Sequence, residues 1–195
     1  MIVTPSPESL MQAAQSAKKE GRLPPVHLWD PPFCGDLDME IRRDGTWFYN
    51  GTPIGRAPLV QLFSSILKRE DGKYFLVTPV EKVGIRVEDA PFVAQDFNVR
   101  NSGRDQIVVF ATHVGDSVTA GPDHPIRVVR SRSGEPSPYV MVRGGMEALI
   151  DRKSFYRLVD LGEAHMVDDV DWFGVWSGGA FFPIIPVAEL TEEQK

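Results

Sequence analysis

The sequence has very little cysteine: Cys34 is the single one among 195 residues. One thiol cannot form an intramolecular disulfide or supply a cysteine-based metal site, and it is consistent with a reducing compartment. Positive charge is scarce too, because 21 Lys and Arg stand against 27 Asp and Glu and give a formal net charge of −6. General nucleic-acid binders and proteins of anionic membrane surfaces need clustered positive charge. Neither class is expected.

Long apolar runs are also missing. The longest, residues 180–188, is too short to span a bilayer and is interrupted by Pro183 and Pro186. The N-terminus has no basic region followed by an apolar core, so no signal peptide is predicted. We therefore expect a soluble, cytoplasmic protein without a membrane or nucleic-acid partner.

Motifs of known chemistry are absent from the sequence. It contains no Gly-x-x-x-x-Gly-Lys phosphate loop and no Gly-x-Ser-x-Gly elbow, and its four histidines lack metal-ligand spacing. His113 and Asp116 at a strand end can be read as a base and its orienter, but a turn histidine is the simpler interpretation. Two acidic groups offer oxygen ligands for a hard cation, although acidic loops are usually solvated: Asp36 with Asp38, and Asp168, Asp169 with Asp171. The sequence predicts no catalytic residue and no metal, and it identifies no cofactor.

A hairpin followed by a helix is predicted within residues 39–67. Residues 46–49 are a β-prone run, and the Asn50-Gly51 pair that follows favours a type I′ turn, which needs positive φ at both central residues. After Arg56 the apolar residues take helical spacing through Leu67. Pro58 is tolerated only in the first turn, so the helix is expected to begin at residue 56 or 57.

The same unit recurs later in the chain. Residues 138–143 form a predicted strand, Gly144-Gly145 is a second pair compatible with a type I′ turn, and Asp151 can cap the helix that follows. Ile54 and Arg56 match Ile150 and Arg152 at an offset of 96 positions. Helical periodicity alone aligns apolar positions by chance, so the hairpins and the paired arginines are the evidence for an internal duplication.

The remaining segments are predicted mainly as strands. Residues 74–78, 82–88, 92–99, 106–114 and 126–132 form an antiparallel meander, and a closing hairpin surrounds residues 177–179. A short helix capped by Ser6 and stopped at Gly21 precedes a proline-rich extended linker over residues 23–33. The chain should end in a solvated acidic tail.

These patterns predict an α+β protein of two related sub-domains, each a curved antiparallel sheet with one packed helix. The expected division is an N-terminal helix and linker (residues 1–27), an N-terminal sub-domain (28–90), a C-terminal sub-domain (91–187) and a tail (188–195).

Eight residues are candidates for ligand binding. Arg56 and Arg152 lie where a hairpin enters a helix, a place that suits phosphate or carboxylate, although surface ion pairing is the simpler interpretation. Aromatic residues in strands can stack on a flat ligand or fill the core. Polar residues beside Pro79, which breaks strand pairing, often face a cleft but can equally pair with each other. The complete set is Trp47, Tyr49, Arg56, Thr78, Glu81, Lys82, Arg152 and Trp176.

Two blocks of sequence resemble a known family. Asp44-Gly-Thr-Trp-Phe-Tyr-Asn-Gly-Thr-Pro-Ile-Gly-Arg56, and Tyr74-Phe-Leu-Val-Thr-Pro-Val-Glu-Lys-Val83 followed by Val87-Glu-Asp-Ala-Pro-Phe92, are similar to the bacterial proteins grouped as domain of unknown function 1285. The resemblance covers about residues 28–186. It implies a duplicated core, a C-terminal half superficially like a pleckstrin-homology fold, and a cleft between the halves for a nucleotide-like ligand. It also implies a role in signalling or stress response, and it supplies no catalytic residues.

Three functions remain open at this point. The favoured one is a non-enzymatic sensor or adaptor that holds a small anionic, nucleotide-like ligand between the two halves, in a cleft lined by some of the eight candidates. A hydrolase or transferase acting on such a ligand would use Glu81 or Glu88 as its base. A protein-interaction module is suggested only by analogy with pleckstrin-like sheets, and its partner is unknown. Ligand binding separates the first two functions from the third, and turnover separates the first from the second.

Overall fold

The computed structural model describes residues 6–17 and 23–190. The chain divides into two compact units: unit 1 is Met1–Pro91 with Gly144–Met146, and unit 2 is Phe92–Arg143 with Glu147–Lys195. Each unit is rich in strands and poor in helices, so the predicted α+β class with two sheet-rich sub-domains is confirmed. None of the helices within these described residues has the length and apolar character needed to cross a membrane.

Unit 1 begins with helix α1 (Pro7–Ala17). The Ser6 hydroxyl oxygen accepts the backbone N–H of Ser9 at 3.2 Å, which confirms Ser6 as the predicted N-cap. Leu10 and Ala14 are completely buried, so one face of the helix packs on the unit. The predicted stop at Gly21 and the end of the acidic tail lie outside the described residues. The proline-rich segment is less extended than predicted, because Val26–Leu28 form a 3-10 turn.

A six-stranded sheet forms the body of unit 1. In chain order its strands are β1 (Phe33–Ile41), β2 (Trp47–Tyr49), β3 (Thr52–Pro53), β4 (Leu67–Glu70), β5 (Lys73–Val77) and β6 (Lys82–Val87). Their spatial order is β3-β2-β1-β6-β5-β4. β1 and β6 run parallel, and the other neighbours run antiparallel. The sequence predicted a purely antiparallel sheet, and this prediction is wrong for the β1–β6 pair.

The hairpin and helix of unit 1 occur where the sequence places them. Asn50 and Gly51 have φ of 47° and 74°, so the predicted type I′ turn is confirmed. Helix α2 (Ala57–Ser65) has Arg56 as its N-cap and contacts α1. It ends two residues before the predicted Leu67. The hydroxyls of Ser64 and Ser65 donate to carbonyls three residues earlier, which competes with helical hydrogen bonding.

A second six-stranded sheet forms the body of unit 2, and Met146, the first residue of β12, is the one residue of this sheet that is grouped with unit 1. Its strands are β7 (Phe92–Arg100), β8 (Ile107–Thr112), β9 (Ser117–Thr119), β10 (Ile126–Arg130), β11 (Pro136–Arg143) and β12 (Met146–Ile150). The spatial order is β10-β11-β12-β7-β8-β9, with β12 and β7 parallel. One parallel pair thus occurs in each of the two large sheets.

The second hairpin and helix repeat the first. Gly144 and Gly145, between β11 and β12, have φ of 57° and 70°, which confirms the second type I′ turn. Helix α3 (Arg152–Val159) is capped by the Asp151 side chain, which accepts the N–H of Ser154 at 2.7 Å. The order of hairpin and helix recurs in both units as predicted, although β3 is an edge strand and β12 lies inside its sheet. The predicted equivalence of the arginines is wrong by one position, since Arg152 is the first residue of α3 whereas Arg56 precedes α2.

A separate three-stranded antiparallel sheet completes unit 2. It consists of β13 (Glu163–Val167), β14 (Val170–Ser177) and β15 (Ala180–Pro186), followed by α4 (Val187–Leu190). The predicted hairpin at residues 177–179 is confirmed, whereas β13 was not predicted. Asp168 and Asp169, considered above as cation ligands, have φ of 47° and 61° and form the β13–β14 turn.

Candidate functional site

Trp47 and Thr78 are buried inside unit 1. Trp47 is 1% exposed and its ring stacks on Phe63, with 6.3 Å between the centroids. Thr78 is completely buried, and its hydroxyl oxygen accepts the N–H groups of Val80 and Glu81. The hydrophobic core and a turn therefore account for both residues, and neither side chain faces solvent.

Lys82 belongs to a charge cluster on the first sheet. Its ammonium lies 2.8 Å from the Glu70 carboxylate, which also pairs with Lys68 at 2.8 Å. Hydrogen bonds from Lys68 and then from Lys82 hold the pKa of Glu70 below its ordinary value. Lys82 is therefore already bound to a carboxylate in unit 1.

Arg56 is exposed at the start of α2, beside a cavity of about 480 Å³ that lies between α1 and α2. The start of this helix offers few free donors, because Pro58 has no N–H and the N–H of Leu59 binds the carbonyl of Arg56. Arg152 is exposed as well, and its Nε donates to the Tyr156 hydroxyl at 3.1 Å. The Asp151 carboxylate already occupies the N-terminus of α3. Both helix starts are thus poorer anion sites than their sequences suggest.

The remaining candidates of unit 1 are not gathered at one place. Tyr49 is half-buried at the end of β2, where it lies opposite Met39 and Thr52. Glu81 is 8% exposed and borders a cavity of about 580 Å³, whereas Arg56 borders the different cavity described above. Glu81 and Arg56 therefore border two different cavities among the described residues.

Trp176 lies in a cluster of three aromatic side chains in unit 2. The ring centroids of His165, Trp176 and Phe181 are 4.9, 4.9 and 5.3 Å apart, and the ring planes are tilted by 57° to 65°. All three side chains are half-buried. We call this cluster the aromatic platform. Such tilted arrangements satisfy the charge distribution of the rings while leaving part of each ring open to solvent.

Strand register places the platform on one face of the three-stranded sheet. Trp176 lies directly opposite Phe181, and its neighbours in β14, Val175 and Ser177, are buried on the opposite face. The ring of Phe181 covers Gly174, where an added Cβ would lie 2.6 Å from the ring. The alternation of β14 thus sends one set of side chains into the core of unit 2 and leaves the aromatic set outside.

Polar groups border the platform. The indole Nε1–H of Trp176 donates to Glu163 at 2.9 Å, which fixes the orientation of the ring. The guanidinium of Arg104 lies 5.4 Å from the centre of the Trp176 ring and 3.7 Å from the Glu163 carboxylate. Its side chain is 69% exposed. The platform therefore combines stackable rings with a cation at its edge.

Ser177 anchors the platform strand to the large sheet of unit 2. Its hydroxyl accepts the N–H of Val108 at 2.9 Å and donates to the carbonyl of Ala120 at 2.7 Å. The Gln106 side chain donates to the carbonyl of Trp176 at 2.7 Å. These bonds hold the backbone directly beneath the aromatic face.

Three of the acidic and histidine candidates have other partners. Asp38 pairs with Arg86 at 2.7 Å. Asp116 pairs with Arg143, whose pKa is lowered by burial. The Nδ1 atom of His113 accepts the N–H of Val93 at 3.1 Å. In residues 6–17 and 23–190, no group of three or more His, Cys, Asp or Glu side chains is placed to hold a metal ion.

Sequence reasoning found Trp176 but missed the residues that surround it: Arg104, Glu163, His165 and Phe181. Glu163 and His165 were missed because the Glu-Ala-His-Met-Val sequence of β13 lacks the β-branched and aromatic enrichment of a typical strand. The Asp168-Asp169 pair was a signal for this hairpin, because aspartate tolerates positive φ and suits a hairpin turn. Polar and apolar residues alternate on both sides of the pair.

Comparison with known families gives two adjacent matches. Residues 24–90 match the model described as domain of unknown function (DUF1285), N-terminal domain. Residues 91–184 match the model described as protein of unknown function (DUF1285), C-terminal domain. No curated protein matches significantly.

Two solved structures are similar to this chain. The crystal structure of a DUF1285 family protein from Silicibacter pomeroyi DSS-3 has a TM-score of 0.85 and 61% sequence identity, over 93% of this chain and 97% of that chain. The crystal structure of a DUF1285 family protein from Shewanella baltica OS155 has a TM-score of 0.52 and 31% identity, over 64% of this chain and 91% of that chain. Both the fold and the sequence of this chain are thus shared with bacterial proteins of one family.

Proposed function

The chain belongs to the DUF1285 family, and we propose that it is a cytoplasmic, non-enzymatic sensor or adaptor that binds a small anionic ligand of nucleotide type, with a role in signalling or stress response. The single observation that carries the proposal is the aromatic platform of unit 2 with Arg104 at its edge. A flat ring system with an attached phosphate matches both features of this surface.

Stacking supplies the first part of the recognition. Every nucleobase has a π-face, and stacking on an aromatic side chain contributes roughly 1–3 kcal/mol per base. Trp176 is held in orientation by Glu163, and Phe181 is seated over Gly174. Because the rings are already ordered, a ligand loses little free energy in fixing them.

Arg104 supplies the second part. Its contact with Glu163 is long, 3.7 Å, and its side chain is largely exposed, so the pair contributes little to stability. Exchanging this contact for a bidentate bond to phosphate costs little and gains a charge-assisted interaction. Arg104 therefore favours a nucleotide over its uncharged nucleoside.

The polar groups of the platform support binding in preference to catalysis. The ring of His165 packs against both Trp176 and Phe181. The Glu163 carboxylate accepts the indole N–H of Trp176 and pairs with Arg104. Neither group is positioned as a free general base.

Thermal melting in the presence of adenosine or guanosine monophosphate tests the proposal. At about 100 times its dissociation constant, a ligand adds roughly 2.7 kcal/mol to the free energy of unfolding. This is a rise in melting temperature of about 5–11 °C for a chain of this size. We expect Arg104→Ala to lose the preference for a monophosphate over its nucleoside and to melt unchanged without ligand.

Arg132→Ala is the matched control, because Arg132 is an exposed arginine on a turn of the same unit. With nucleotide, this variant should show the same rise in melting temperature as the parent protein. If neither nucleotide raises the melting temperature, or if Arg104→Ala responds like the parent protein, the proposal is wrong. The nucleotide recovered after incubation should be intact, and a hydrolysed product would favour the enzymatic alternative.

A further inference from the structure

A cavity of about 580 Å³ lies beside α1 in unit 1. One wall is a side of α1, and the opposite wall comes from the beginning of β1 and from the turn that precedes β6. The lining residues that matter below are Ser9, Phe33, Cys34, Val80 and Glu81. A cavity of this size accommodates a small organic molecule.

The carboxylate of Glu81 is held at this cavity by a rigid turn. The N–H of Glu81 donates to the Thr78 hydroxyl at 3.1 Å, and the N–H of Thr78 donates to the carbonyl of Glu81 at 2.9 Å. Glu81 is 8% exposed although it is ionisable. A buried carboxylate requires hydrogen-bond donors or a cation to compensate for the lost water.

Among the described residues, few donors reach the Glu81 carboxylate. Within residues 6–17 and 23–190, the only hydrogen bond to the Glu81 side chain comes from the Ser9 hydroxyl at 3.2 Å. The same hydroxyl donates to the carbonyl of Ser6 at the shorter distance of 2.9 Å. One hydroxyl has one hydrogen, so the two acceptors share it. Lys82, next in the chain, is bound to Glu70.

Apolar side chains border the same cavity. Phe33 is 54% exposed and Val80 is 70% exposed. They lie with Glu81 around one space. The cavity thus presents a donor-poor carboxylate together with surfaces that could cover an alkyl chain.

We propose that this cavity is a second binding site, specific for a small primary alkylammonium molecule. The ammonium donates to Glu81, and the alkyl chain lies against Phe33 and Val80. The site is in unit 1, and its charge preference is opposite to that of the aromatic platform, so the proposal does not rest on the function proposed above. α1 precedes the segment matched by the family models, which makes Ser9 a feature outside that match.

The single cysteine provides the test, because Cys34 lines the cavity. The rate of Cys34 alkylation by iodoacetamide, an uncharged reagent, is measured with increasing n-pentylamine. We expect pentylamine to slow the reaction saturably. n-Pentanol, which has a similar size and no charge, should protect only at much higher concentration.

Glu81→Gln keeps the shape of the side chain and removes its charge. We expect the half-protecting concentration of pentylamine to rise roughly 10- to 100-fold in this variant, as for the loss of a hydrogen bond to a charged group. Glu8→Gln is the control, because Glu8 is an exposed carboxylate on α1, and pentylamine should protect Cys34 in this variant as it does in the parent protein. Equal protection by pentylamine and pentanol, unchanged protection in Glu81→Gln, or no protection at all would each overturn the proposal. The comparison of pentylamine with pentanol uses the parent protein alone, so it tests the proposal even if Glu81→Gln fails to fold.

Discussion

Replacing Leu158 with alanine is expected to lower the free energy of unfolding by roughly 2–5 kcal/mol. Leu158 is completely buried on the face of α3 that packs against the sheets of unit 2. The substitution removes apolar contact and leaves a cavity that the surrounding strands can fill only in part. Urea unfolding at neutral pH measures the loss directly.

Lys153→Ala on the same helix is the control for Leu158→Ala. Lys153 is exposed, so its substitution should change the free energy of unfolding by less than about 0.5 kcal/mol. Leu62→Ala, at the corresponding face of α2, should also be destabilising, because Leu62 is only 8% exposed. A loss below about 1 kcal/mol for Leu158→Ala would contradict the assigned buried face of α3.

Ser177→Ala is the second substitution with a large expected effect. The variant leaves the N–H of Val108 and the carbonyl of Ala120 without the side-chain hydroxyl that binds both of them. Each buried polar group that loses its partner costs about 1–3 kcal/mol. We expect a lower midpoint of urea unfolding and faster exchange of the Val108 amide with solvent deuterium.

The matched control for Ser177 is Ser133→Ala, since Ser133 is an exposed serine on a turn of unit 2. Its removal should leave stability within about 0.5 kcal/mol of the parent protein. If Ser177→Ala is equally harmless, the hydroxyl does not join the platform strand to the large sheet.

Local sequence signals predicted the turns and helix starts well. Asn50-Gly51 and Gly144-Gly145 specify type I′ turns because the requirement for positive φ is decided by a few atoms within the dipeptide. Asp151 is a helix cap for the same local reason. The chemistry of each feature is contained within four or five neighbouring residues, so no knowledge of the distant chain is needed.

Pairing between distant strands could not be predicted in this way. β1 joins β6 across more than forty positions, and β12 joins β7 across a similar distance. Hydrophobic alternation marks a strand but does not identify its neighbour. The two parallel pairs therefore emerged only from the structure.

The two tryptophans Trp47 and Trp176 show why the site was only partly predictable. Both lie in strands, and both were candidates for a ligand site or for the core. Trp47 is buried against Phe63, whereas Trp176 is half-buried on the outer face of its sheet. Which face a side chain occupies depends on strand register and on what covers the sheet, neither of which is present in the local sequence.

Nuclear magnetic resonance of the four tryptophan indole N–H groups tests the central claim, ligand binding at the aromatic platform, most directly. The signal of Trp176 is assigned from its absence in Trp176→Phe, and adenosine monophosphate is then added to the parent protein. We predict that the Trp176 signal moves progressively to saturation, because the base stacks on its ring and the phosphate draws Arg104 from Glu163. The signal of Trp47, buried in unit 1, should stay in place. A Trp176 signal that does not move at millimolar nucleotide would contradict the account.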